Sequence, residues 1–186
     1  MTTFDYLWIG LSAGIVNYYV TTLALWFGHW FSHLRWSPLR DFHVLGHHVL
    51  YPNSRLIQTL TFLYAHGRHD SNFALAPWLF LIAFAEFFLF PFWLFAACLV
   101  HSVVTVGLSS FIHLQFHVFD TPLERFDWFR KARTLHTLHH DADRNFMIAD
   151  HFWDRVFGTY DDSVRSAEWA SPQVTAHGAK DRLGAP

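Results

Sequence analysis

The chain has 186 residues, a formal net charge of −2, a single cysteine and 19% aromatic residues, 21 Phe and 9 Trp among them. One domain fits that length, the charge excludes the basic face a nucleic-acid partner would need, and Cys98 alone excludes an internal disulfide framework, a thiolate zinc site or an iron–sulfur cluster. Hydrophobic residues at 52% point to lipid, and the 15 histidines, against about four or five in ordinary composition, leave nitrogen and oxygen as the ligands of any metal.

Residues 4–27 form a 24-residue run whose only charge is Asp5; at 1.5 Å per residue it covers roughly 36 Å, enough for a bilayer core with tilt. A cleaved signal peptide would need a basic leading region, and no Lys or Arg precedes Arg35. Residues 73–90 and 92–112 give two further apolar runs of 18 and 21 residues around Pro91, each about one crossing long. Of the 13 Lys and Arg, four lie in residues 35–72 and nine after residue 112. The positive-inside rule therefore places both segments in the cytoplasm, with three crossings and the N-terminus outside. The expected fold is all-α: a multi-span integral membrane helical bundle with a cytoplasmic, histidine-rich helical cap, its membrane-embedded domain covering residues 1–161.

Residues 49–66 and 122–138 mix apolar and basic residues, Phe126, Trp128, Phe129 and Leu135 among Arg125, Arg130, Lys131 and Arg133 in the second. Both are expected to lie along the membrane surface. Residues 162–186 read as a polar, flexible tail.

Four histidine clusters carry the chemistry. His29 and His33 follow the first apolar run; His43, His47 and His48 come next; His113 and His117 close the third run; and His136, His139 and His140 follow. Residues three and four apart share a helix face, so each cluster can converge on a point, and all ten fall on the expected cytoplasmic side. Neutral imidazole is a good ligand for iron, zinc, copper and nickel. A single catalytic zinc takes about three protein ligands, so ten suit two ions. His66, His69, His151 and His177 read as solvated, His101 faces away from His113 and is expected to bond between helices, and Glu86 is expected to reach the headgroups. Asp120, Asp141, Asp143, Asn145, Asp150 and Asp154 lie close in sequence to the last two clusters, and one or two of them are expected to bond to a ligating ring.

With HWFSH at 29–33, HVLGHH at 43–48, HLQFH at 113–117, HTLHH at 136–140, Asn145-Phe146 and FWDRVFGTY at 152–160, residues 25–160 resemble the fatty acid hydroxylase/sterol desaturase superfamily of membrane non-haem di-iron enzymes. The resemblance implies that the ten histidines hold two iron ions and that O2 and an external electron donor oxidise a lipid drawn from the bilayer, by hydroxylation or desaturation. No Gly-rich nucleotide fingerprint or haem attachment motif occurs, so electrons would come from a separate reductase, ferredoxin or cytochrome. The chain differs from the family pattern in having Met147 after Phe146 where glycine is common, and one additional residue inside the second histidine cluster. A membrane metal-binding or transport protein and a b-type cytochrome are the competing classes.

Overall fold

The computed structural model describes residues 2–66 and 76–163. It is all-helical, and its only β-type pairing among the described residues is an isolated bridge between Gln58 and Val118. His69, His177 and residues 164–186 of the expected tail lie outside the described residues.

Helix α1, Thr3–His33, begins with a capping box: the Asp5 carboxylate accepts from the Thr2 N–H at 2.6 Å, and Thr2 Oγ1 accepts from the Asp5 N–H at 3.3 Å. The one charge of the first apolar run therefore completes a helix N-terminus. The buried face of α1 carries Asn17, Thr21, Thr22, Leu25, Trp26, Gly28, His29 and Ser32, while Leu7, Leu11, Ile15 and Val16 point outward and are exposed. That is the reverse of a helix folded against water, and matches helices that pack through small and polar residues in lipid.

α4, Ala76–Leu89, and α5, Phe92–Phe116, are separated by Pro91, which caps α5 in extended geometry. Proline suits that position because it lacks the N–H a preceding helix would require. Helices α1 and α5 are each long and apolar enough to cross a membrane. Among the described residues α4 has 14 residues, about 21 Å; residues 73–75 of the crossing expected at 73–90 lie outside them. Glu86 is turned inward and buried rather than directed along an outer face.

α1 packs on both α4 and α5, and these two pack on each other. The α1–α5 seam holds a polar clamp. Asn17 Nδ2 donates to the Cys98 carbonyl at 2.8 Å and lies 3.1 Å from Ser102 Oγ and 3.2 Å from His101 Nδ1, and Thr21 Oγ1 lies 2.9 Å from Ser102 Oγ. His101 thus serves helix–helix bonding, as its angular offset from His113 predicts.

The remaining elements form a cap at one end of α1 and α5. α2, Arg40–Phe42, runs into a π-helical turn, His43–His48, followed by a 3₁₀ turn, Asn53–Arg55, and α3, Leu60–His66. A second 3₁₀ turn, Pro122–Arg125, leads into α6, Asp127–Asp141, and α7 is Phe152–Val156. No helix of crossing length occurs in 49–66, where Tyr51, Leu56 and Leu63 are buried together with Val118.

Helix α6 departs from a purely interfacial helix. Phe129 and Leu135 are buried, with Phe129 packed on Phe116 of α5, whereas Trp128 and Phe126, the residue that precedes the helix, are exposed. Arg133 is buried too, donating to the carbonyls of Gln115 at 2.8 Å and Val118 at 3.0 Å and pairing with Glu124. It adds a side-chain donor to carbonyls at and just past the end of α5, and so fixes α6 against the segment that carries His113 and His117.

Replacing Asn17 by Ala removes the centre of the clamp. We expect a loss of about 1–2 kcal/mol, read as earlier unfolding of the full chain in a denaturing-detergent titration. Unchanged stability would show that the seam depends on packing alone.

Candidate metal centre

Each histidine cluster is set by its local backbone. On regular helix, His136, His139 and His140 lie at about 0°, 300° and 400° of rotation. His43, His47 and His48 have one more residue in the first interval, and on an α-helix His48 would swing out of line. The π turn has about 80° per residue, which returns His47 and His48 to about 330° and 410° from His43. The extra residue in HVLGHH is thus absorbed by the wider turn, and both clusters present nearly the same fan of rings.

All ten histidines meet. His29, His33, His43, His48 and His139 form one group, and His47, His113, His117 and His136 a second, each with its candidate ligand atoms within 4.8 Å of one another. His140 joins the second group through His136, with Nε2 atoms 3.0 Å apart, and stacks on His48 of the first at 4.2 Å between ring centroids. α1 gives His29 and His33 to the first group, and the C-terminal end of α5 with its capping residue gives His113 and His117 to the second. The π turn and α6 divide theirs between both.

In the first group the Nε2 atoms close a ring of four contacts: His29 to His43 at 2.8 Å, His43 to His48 at 3.1 Å, His48 to His139 at 3.1 Å and His139 to His29 at 2.9 Å. A square with sides of about 3.0 Å has corners about 2.1 Å from its centre, which is the length of a metal–imidazole bond; a tetrahedral site with that bond would have edges of about 3.3–3.4 Å. The rings of His43 and His139, across the square, are 5.9 Å apart, against 4.4 to 4.9 Å along its sides. His33 stands 4.7 to 5.6 Å from all four. In the second group the rings of His47, His113, His136 and His140 close a circuit with sides of 4.7 to 5.1 Å, and His117 stands 4.9 to 5.4 Å from each, with its Nε2 3.1 Å from that of His136. The fifth ring is in both cases the second histidine of the pair on the long helix.

The tautomers decide what these nitrogens can do. His29 Nδ1 bonds the Phe146 carbonyl, His139 Nδ1 the Arg144 carbonyl at 2.8 Å, His117 Nδ1 the Leu56 carbonyl at 2.9 Å, and His33 Nδ1 the Asp143 carboxylate at 2.8 Å. Carbonyl and carboxylate oxygens only accept, so each of these four rings carries its proton on Nδ1 and presents a bare lone pair at Nε2. The bare Nε2 atoms of His29 and His139 then face each other at 2.9 Å, a repulsive contact rather than a hydrogen bond. A proton between them would create a buried imidazolium, which desolvation opposes. His33 Nε2 is buried with no hydrogen-bond partner among the described residues. Convergent lone pairs, oriented from behind by carbonyls and a carboxylate, are the arrangement found around bound metal ions, and these buried clusters can hold one.

Burial, and then the charge each imidazolium would place beside its neighbours, holds His43, His47, His136 and His139 well below the ordinary imidazole pKa. The same causes lower His140 and push His48 down to about 3. All six are neutral at pH 7, as metal binding requires.

Of the acids near the last two clusters, Asp143 alone bonds directly to one of the ten rings. Asp141 bonds Asn53, Asp150 accepts from the Tyr18 hydroxyl at 2.8 Å, and Asp154 pairs with His151 at 2.9 Å. His151 is buried rather than solvated, because it closes that pair. The carbonyls of Leu56, Arg144 and Phe146 were not foreseeable, since every residue carries one. Comparisons with protein-family models, curated proteins and solved structures give no match to this chain.

The depressed values predict a pH response of the metal-free chain. A histidine whose folded pKa lies below its unfolded value of about 6.5 leaves stability intact above that pH; as pH falls, the unfolded chain takes up the proton first and the fold loses about 1.4 kcal/mol per pH unit for each such ring. The Tm followed by circular dichroism should therefore fall steadily on acidification below about 6.5, and for His48 the effect should continue towards a pH of about 3. A flat Tm from pH 7 to 5 would contradict neutral, buried rings.

Proposed function

We propose that this chain is a multi-pass membrane di-iron oxygenase, of the kind the fatty acid hydroxylase/sterol desaturase resemblance implies. It would hydroxylate or desaturate a lipid using O2 and electrons from a separate reductase, ferredoxin or cytochrome. The observation that carries the reading is the convergence of Nε2 lone pairs, with their tautomers fixed from behind, at the ends of two helices apolar enough to cross a membrane.

The ten histidines would hold two iron ions, and bound iron would supply the oxidation of an unactivated C–H bond that no side chain can perform. The chain's own contribution is binding, orientation and exclusion of water. His29 and His33 end α1, and His113 and His117 fall at the end of α5, so the centre stands where an acyl chain lying along those helices would meet the cap. His43, His47, His117, His136 and His139 are each buried to 2% exposure or less, which keeps bulk water from the ligand nitrogens. The basic residues around the cap support a cytoplasmic site and C-terminus.

Two observations weigh against the competing classes. Transport would draw on ligands near the middle of the crossing helices, and a b-type haem on paired histidines there. Within α1, α4 and α5, His101 is the one histidine away from the histidine groups at the helix ends, and it is engaged by Asn17.

The reading is tested by comparing lipids from cells expressing the wild type or His139→Ala, with a competent electron donor, under ¹⁸O-labelled dioxygen. We expect a hydroxylated, ¹⁸O-bearing lipid or a new double bond with the wild type, reduced at least 100-fold in the variant. Identical lipid profiles with an iron-loaded wild type would refute oxygenase activity.

A further inference from the structure

The FWDRVFGTY stretch touches no metal-group histidine, yet it governs two of them. Asp154 has no exposed surface and its carboxylate accepts five bonds. Oδ1 takes Trp26 Nε1 at 3.1 Å, the Phe146 N–H at 2.9 Å and Thr159 Oγ1 at 2.8 Å. Oδ2 takes the Met147 N–H at 3.0 Å and His151 Nδ1 at 2.9 Å. Burial alone would raise its pKa, but the bonds from His151, Met147 and Thr159 outweigh it and hold the carboxyl below the usual range.

Two of those donors belong to the strap 144–147, and a third, Trp26, lies three residues before His29 on α1. The strap supplies both carbonyls that orient the first group: Arg144 O to His139 and Phe146 O to His29. Between them Asn145 adopts the left-handed conformation, φ 53°, with no exposed surface, a position costly for a side chain unless something holds it. Its N–H donates to Thr159 O at 2.9 Å, its Nδ2 to Asp161 O at 2.8 Å, and its Oδ1 accepts from the Asp161 N–H at 2.9 Å. The left-handed residue turns the carbonyls on either side towards neighbouring corners of one square, and residues 154–161 hold it so.

Resting on the metal reading above, we infer that Asp154 is a positioning residue for the first metal group. It ties the strap to the turn of α1 that carries His29, and thereby fixes the Nδ1–H tautomers and the aim of His29 and His139. The second group takes its carbonyl from Leu56 and does not depend on the strap. Asp154 therefore acts on one of the two metals. In Asp154→Asn the new amide N–H₂ would face a donor, either the Met147 N–H or the group at Oδ1, and release one end of the strap.

The test uses the full chain in nanodiscs loaded with cobalt(II), with metal content and the d–d spectrum as readouts. The wild type should bind two ions. Asp154→Asn should keep one with unchanged affinity and bind the other 10–100-fold more weakly, losing the same spectral component as His29→Ala and keeping the component that His117→Ala removes. Asp150→Asn, which breaks the Tyr18 contact of the same segment without touching the strap, should retain both. Should Asp154→Asn fail to fold, Asn145→Gly keeps the left-handed backbone accessible, removes only the side-chain anchors, and should give the same selective loss. Two ions held as tightly as in the wild type, or both weakened equally, would overturn the positioning role while leaving the metal reading intact. A folded wild type that binds no cobalt would overturn both.

Discussion

The structure is organised around convergent imidazole lone pairs that could hold a metal ion. Ten imidazoles are packed together, burial keeps His43, His47, His48, His136, His139 and His140 neutral, and four of the ten rings have their proton committed to an oxygen on the outer side. What remains at the centre is lone pair against lone pair at close range, as between His29 and His139. A chain selected for stability alone would fill such a space with Leu or Phe, since buried polar groups lower stability unless they find partners. The surrounding fold has to supply the energy that holds the rings together, and each part of it can be read in that light.

Two long helices provide the frame. α1 and α5 are joined by the Asn17–Ser102–Thr21 clamp within the apolar section and deliver one histidine pair each at the same end. The cap then closes on that end from both sides. Arg133 fastens α6 to the carbonyls finishing α5, while α7 lies on α1 through Phe157 stacked on Trp26 at 4.2 Å and through Trp153 Nε1 bonded to Thr22 Oγ1 at 3.1 Å. Both fastenings place polar contacts within a few residues of a histidine group.

Much of this was legible in the sequence, for identifiable reasons. Helical spacing and the unusual number of histidines named all ten residues that meet, because a ring's angular position on a helix follows from its number alone. The long apolar helix α1 was legible because its length and near-absence of charge follow from residue type alone. The π turn at 43–48 was not, since a wider turn leaves no mark in composition; the chain signalled it only as an additional residue in a familiar spacing. The carbonyls behind His29, His117 and His139 were invisible because backbone chemistry is the same at every position. His151 read as solvated and Asp154 as one of six candidate partners of a ligating ring, whereas the Asp154 hub depends on a distant indole, Trp26, approaching from α1. Local pattern located the rings, then, while the parts that orient them come from tertiary approach.

We propose that these ten histidines hold two metal ions in all-imidazole surroundings. X-ray absorption at the iron edge, on the full chain reconstituted anaerobically with ferrous iron in nanodiscs, tests it most directly. The account predicts two irons per chain, a shell of nitrogen neighbours at about 2.1 Å, the outer-shell scattering of several imidazole rings, and no sulfur. A chain that takes up no iron, or iron whose spectrum shows mainly water oxygens and no imidazole scattering, would contradict it.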